Sequence, residues 1–196
     1  MDQSAAVDAR GLRLTSWTAA CWAFLYGLYR FYYAVGGEIG IPGTPASQRQ
    51  WLFINGAASM LLFAAAGAPI VLRSLWYMPR GRMILLALCW VITVTCVGHA
   101  LIGMVQRISS LTGSLTISYP FWQSIDRRQA DLQALFFNEP WFLGEGLLWS
   151  GMAWAGAMRR SPRRWIWYGS AAAAVAVYTT IGLLSAFGII GRVVVG

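Results

Sequence analysis

"MILLALCWVITVTCVGHALIGMV", residues 83–105, holds no Asp, Glu, Lys or Arg along its whole length. A bilayer core about 30 Å thick is crossed by about 20 apolar residues in a helix. The stretch therefore reads as a transmembrane helix, with lipid as its solvent. Four more stretches of the same kind lie outward from it, at 51–72 and 15–36 on one side and at 141–158 and 165–190 on the other. The expected architecture is an all-α integral membrane protein, a single domain over residues 1–196 built as a five-transmembrane-helix bundle.

Composition agrees. The chain is 58% hydrophobic and 11% charged, whereas a soluble domain carries about 25% charged residues. A net charge of +8 raises nucleic acid as a partner. The basic residues sit in short connections between apolar runs rather than on one folded face, which excludes that class. All fifteen are arginine, the better residue for fixed, bidentate pairing. Cys21, Cys89 and Cys96 fall inside apolar runs without a C-x-x-C spacing. They read as small buried hydrophobes, with no redox pair and no zinc site.

Arginines in the connections set direction. Arg10, Arg13, Arg73, Arg80, Arg82, Arg159, Arg160, Arg163 and Arg164 fall on the side of the N-terminus, nine in all, against Arg49, Arg107, Arg127, Arg128 and Arg192 on the other. The expectation is N-in and C-out, multi-pass in the plasma (inner) membrane, with the lipid bilayer as the first partner. Trp51, Trp76, Trp141, Trp165 and Trp167 lie near span ends, where amphipathic rings anchor a helix.

The outer connections differ in kind. "GGEIGIPGTPASQ", residues 36–48, is a Gly- and Pro-rich loop. The stretch 106–140 is longer than an ordinary connection. Within it Phe121, Trp122, Ile125, Leu132, Leu135 and Phe136 recur at helical spacing, with Asp126, Arg127, Arg128, Gln129 and Asp131 largely opposite. With Pro120 suited to a first turn, residues 120–137 read as an amphipathic interfacial helix on the outer surface.

Buried polar residues suggest where function lies. "YGLYRFYY", residues 26–33, places Arg30 among four tyrosines and a phenylalanine. A charge in hydrocarbon costs roughly 3 kcal/mol on insertion scales, so it normally has a partner and a purpose. At 1.5 Å per residue, Arg30 lies ~10 Å below the outer surface, Asn55 ~6 Å, His99 ~9 Å and Glu145 ~6 Å. Four polar side chains on four helices thus share one depth band. The simplest account pairs Arg30 with Glu145, with Asn55, His99, Tyr26 and Tyr33 completing the hydrogen bonds and Glu38 as a second partner for Arg30.

These seven residues form the candidate binding site. The expected function is binding of a lipid or small amphiphilic molecule at this outer-leaflet site. Two other readings stand beside it: an accessory subunit docked to a membrane-protein partner, with Arg30–Glu145 as a register clamp, and a membrane enzyme using Glu145 and His99 as acid–base groups. No catalytic motif is present. His99 has no second histidine for haem, Cys96 and His99 lack further ligands for a metal, and no cofactor is expected.

Three stretches together resemble a known family: "YGLYRFYYAVGGEIGIPG", the His99 region and "IDRRQADLQALFFNEPWFLGEGLLW". They are similar to an actinobacterial family of small polytopic membrane proteins described as a domain of unknown function. The resemblance covers nearly the whole chain, and "FFNEPWFLGEGLLW" is its most specific part. It implies a helical membrane domain of four or five spans and a unit formed by Asn138, Glu139, Pro140 and Trp141 with Glu145, and it carries no activity over to this chain. Residue chemistry offers structural roles for the same positions. Asn138 suits a helix cap, Pro140 a first turn, and Glu139 the positive end of the helix.

Overall fold

A computed structural model describes residues 7–159 and 161–190. Its helices are α1 (Ala9–Ala34), α2 (Gln48–Val71), α3 (Pro79–Leu111), α4 (Arg127–Gln133), α5 (Glu139–Ala153) and α6 (Arg164–Ala186). The α2 helix tightens into a 3-10 turn, Leu72–Tyr77. Among the described residues, three helical stretches are long and apolar enough to cross a membrane: Gln48–Tyr77, Pro79–Leu111 and Arg164–Ala186. The α1 helix has the length, 26 residues, but its sequence includes Arg10, Arg13, Arg30 and six Trp or Tyr rings, which lower its hydropathy. The α5 helix alone has 15 residues, yet it lies within one unbroken helical run over 127–158.

That run has two π-helical turns, Ala134–Asn138 and Trp154–Met158. The first explains how Pro140 sits inside a continuous helix. Proline removes one backbone donor and its ring crowds the preceding turn. A π turn there shifts the ladder, so the Glu139 amide bonds back to the Ala134 carbonyl. The expected cap at Asn138 is therefore corrected. Its backbone is helical and its side chain makes no capping bond.

The expected helix over 120–137 is also corrected. Residues Trp122–Ile125 form strand β2, paired antiparallel with β1, Gly43–Pro45, in the register Gly43↔Ile125, Thr44↔Ser124 and Pro45↔Trp122. Helix begins only at Arg127, where the Asp126 carboxylate accepts from the Gln129 amide at 3.0 Å. Strand chemistry in Trp122 and Ile125 and a strong cap at Asp126 outweigh Pro120 as a start signal. The ribbon needs glycine at 43, because a β-carbon there would overlap the Ser124 carbonyl oxygen.

Packing places α1 between α2 and α5, and α3 between α5 and α6. Polypeptide ends alternate, so the ribbon lies at the end where α1 and α3 finish. At the opposite end the Asp8 amide bonds the Ala155 carbonyl at 3.0 Å, and Arg159 pairs with the Asp8 carboxylate. The main core lies toward that opposite end and includes Leu12, Ala19, Trp76, Leu85, Cys89, Trp149 and Met152. Trp76 is fully buried there, which corrects its expected role as an interface anchor. Cys21 is exposed, against expectation, whereas Cys89 is buried. The outer faces are apolar: Phe53 and Met60 are about three-quarters exposed. An exterior of this kind suits lipid rather than water.

Candidate functional site

The ribbon covers a cavity of about 190 Å³, larger than the ~150 Å³ that holds a benzene molecule in an apolar core. Tyr29, Arg30 and Tyr33 from the last turns of α1 form one wall, and Trp51 of α2 continues it. Arg107 of α3 and Tyr119 stand opposite, with Trp122 of β2, while Gln133 and Asn138 close the side toward the fourth helix. Residues 40–42 form the remaining edge.

Helical spacing explains the first wall. Residues 26, 29, 30 and 33 stand at i, i+3, i+4 and i+7, one face of a helix. The Tyr26 and Tyr29 rings stack with centroids 5.7 Å apart, and Tyr33 meets Tyr29 edge-on at 5.0 Å. Tyr33–Trp51 at 5.8 Å and Trp51–Trp122 at 5.1 Å carry the aromatic wall to the ribbon. Gln133 donates to the Tyr29 hydroxyl at 2.8 Å, and the Tyr33 hydroxyl donates to the Ile39 carbonyl at 3.0 Å.

The two arginines are in different electrostatic states. Arg107 Nη1 donates to Asp131 Oδ1 at 3.2 Å and lies 2.8 Å from the Tyr119 hydroxyl. Asp131 is 2% exposed and also accepts from Ser110 Oγ and from Tyr119, both at 2.5 Å. Burial, and then this bond to Asp131, pushes Tyr119 up to about 12. Arg107 is thus neutralised by Asp131. Arg30 is not: the ion pairs among the described residues are His99–Glu139, Arg107–Asp131 and Arg159–Asp8. Its guanidinium borders the cavity with no carboxylate within ion-pairing distance.

The Arg30–Glu145 pair expected from depth does not form. Glu145 Oε1 accepts from Trp149 Nε1 at 2.7 Å, one turn further along its own helix, and Oε2 is buried without a hydrogen bond. Glu38 is exposed in the turn before the ribbon and does not pair with Arg30 either. His99 meets Glu139 instead, Nε2 to Oε2 at 3.8 Å, and its ring lies edge-on to Phe142 at 4.5 Å. Glu139 is 5% exposed, and its carboxylate fills the space that a side chain at Gly103 would take.

Tyr26 is buried, with its hydroxyl 3.4 Å from Asn138 Oδ1. Asn55 is fully buried and donates to the Trp51 carbonyl at 2.9 Å. Of the seven expected residues, Arg30 and Tyr33 line the cavity. Tyr26 and Asn55 support its wall through Asn138 and Trp51, and Glu145, His99 and Glu38 lie apart from it.

Arg107, Tyr119 and Asp131 were not among the residues expected at this site. Asp131 had a usable signal: Asp126 is a good helix cap, and starting the helix after it removes Phe121, Trp122 and Ile125 from the residues that define its apolar face. No protein-family model, curated protein or solved structure matches this chain.

Chemically the cavity can hold an anion. An unneutralised guanidinium offers a planar fork for a carboxylate or phosphate. The tyrosine and tryptophan rings supply apolar, partly polar walls for the carbon attached to it.

Proposed function

We propose that this chain is a five-span protein of the plasma membrane, N-in and C-out, whose outer cavity binds the anionic head of a lipid or small amphiphilic molecule. One observation carries the reading: Arg30 borders a partly enclosed cavity with no acidic partner, although an unpaired charge at this depth is costly. A guest anion would offset that cost.

Support for the span count comes from the unbroken helical run over 127–158 and from the 26 residues of α1. Support for the direction comes from eight arginines among the described residues at the end opposite the ribbon, Arg10, Arg13, Arg73, Arg80, Arg82, Arg159, Arg163 and Arg164. The resemblance to the actinobacterial family fits a chain of this kind and adds no activity.

Gentle purification in mild detergent, followed by mass spectrometry of what co-purifies, tests the reading. The expected result is an anionic amphiphile retained by the parent and lost by Arg30→Gln at unchanged thermal stability. A parent that retains nothing in any mild detergent, or a variant that retains the same molecule equally, overturns it.

A further inference from the structure

A second basic site lies at the opposite end of the bundle, away from the ribbon. Arg10 and Arg13, three apart on the first turns of α1, face Arg73 of the 3-10 turn that follows α2. Between them is an open groove of about 570 Å³, with Ser74 and Tyr77 on its rim and Ile70 and Val71 on its apolar wall. No carboxylate lines it among the described residues. The nearest described acid in sequence, Asp8, is already engaged: it accepts from the Gly11 amide at 3.0 Å and pairs with Arg159. Arg73 Nη1 is buried and has no acceptor.

Three guanidinium groups from two elements repel one another unless an anion lies between them. A buried guanidinium N–H without an acceptor is costly in the same way. Phosphate oxygens answer the first condition at the guanidinium atoms that face the groove, and arginine forks match them bidentately. The apolar wall narrows the choice of ligand. Val71 is 72% exposed and shares one exposed face of α2 with Met60 and Ala64, at spacings of one and three helical turns. A ligand seated on the arginines would extend directly onto that apolar face.

We infer that this groove binds the phosphodiester head of an anionic glycerophospholipid, its acyl chains lying along the Met60–Ala64–Val71 face. The site is independent of the Arg30 cavity, which lies at the other end of α1. Basic pockets between membrane helices are a recurrent form of anionic-lipid recognition.

Native mass spectrometry of the full chain in neutral detergent tests it, with phosphatidylglycerol and phosphatidylcholine added at equal concentration. Phosphatidylglycerol should be retained at least roughly fivefold better, and Arg73→Gln should lower that retention by about the same factor. Where Arg73→Gln folds poorly, Arg10→Gln with Arg13→Gln, both exposed, serves instead. Arg80→Gln removes an exposed charge at the same end but outside the groove, and it should keep the preference.

Excess inorganic phosphate should not displace the lipid, since the acyl chains add to its binding. Displacement by phosphate would assign the groove to a soluble phosphate compound and overturn the lipid assignment. Equal retention of the two lipids, no loss in the groove variants, or an equal loss in Arg80→Gln would also overturn it.

Discussion

Arg107 and Asp131, 24 residues apart in the chain, meet at 3.2 Å where the last turns of α3 pass the α4 helix. Their contact fixes one side of the ribbon-covered cavity. It also leaves the charge of Arg30 as the one not balanced there. The stability of the cavity and its chemistry therefore rest on different arginines.

Asp131→Ala should destabilise the protein by about 3 kcal/mol, because it strands a partly buried guanidinium together with the Tyr119 and Ser110 hydroxyls. Arg107→Met combined with Asp131→Leu should recover much of that loss. Thermal unfolding in one fixed detergent measures it. Strictly additive losses would show that the contact contributes no coupling.

Arg30→Met and Glu145→Gln should behave independently, with losses adding to within about 0.5 kcal/mol, as expected for residues that share no contact. Their double-mutant cycle in the same detergent is the check. A large coupling energy would mean that the two side chains meet after all, and that Arg30 is not free to hold a guest.

Tyr119 predicts an alkaline limit. Its pKa is raised from 10.0 to about 12, so the folded state holds the proton more tightly than the unfolded chain does. The stability that this provides is complete below pH 10 and is lost as pH rises toward 12. Tyr119→Phe should show a shallower fall over that window than the parent. Identical pH profiles would remove Tyr119 from the linkage.

Gly43→Val should open the ribbon, since the new side chain meets the Ser124 carbonyl, at a cost of roughly 1–3 kcal/mol. Hydrogen exchange reads this directly. The Ala46 and Asp126 amides, which now bond Phe121 and Pro42 across the ribbon, should exchange faster. Unchanged protection at both would show that the ribbon tolerates the side chain.

Reporter fusions after Pro79 and Arg163 should behave as cytoplasmic, and one after Gly113 as external. The reverse pattern would move the Arg30 cavity to the other face and the groove of Arg10, Arg13 and Arg73 to the outside.

The sequence by itself determined the three long apolar helices. Stretches expected at 51–72, 83–105 and 165–190 fall within Gln48–Tyr77, Pro79–Leu111 and, apart from their last residues, Arg164–Ala186. The reason is that length and hydropathy are local properties, summed along the chain. Arg30 and Tyr33 stand three residues apart on one helix, which is why they could be singled out as neighbours of one site.

Only the tertiary structure decided which way each side chain turns. Helices that are apolar on every side give no phase from pattern, so two residues at one depth can face different neighbours. Glu145 turned to Trp149 and His99 to Glu139, because close packing of Gly146 on Val97 and Gly103 on Glu139 sets how α5 sits against α3. The Arg107–Asp131 contact needed more still. It depends on β2 pairing with β1 nearly eighty residues earlier, after which α4 begins at Arg127 and carries the buried Asp131. Strand pairing at such separation is a contact between distant segments, and no local propensity carries it.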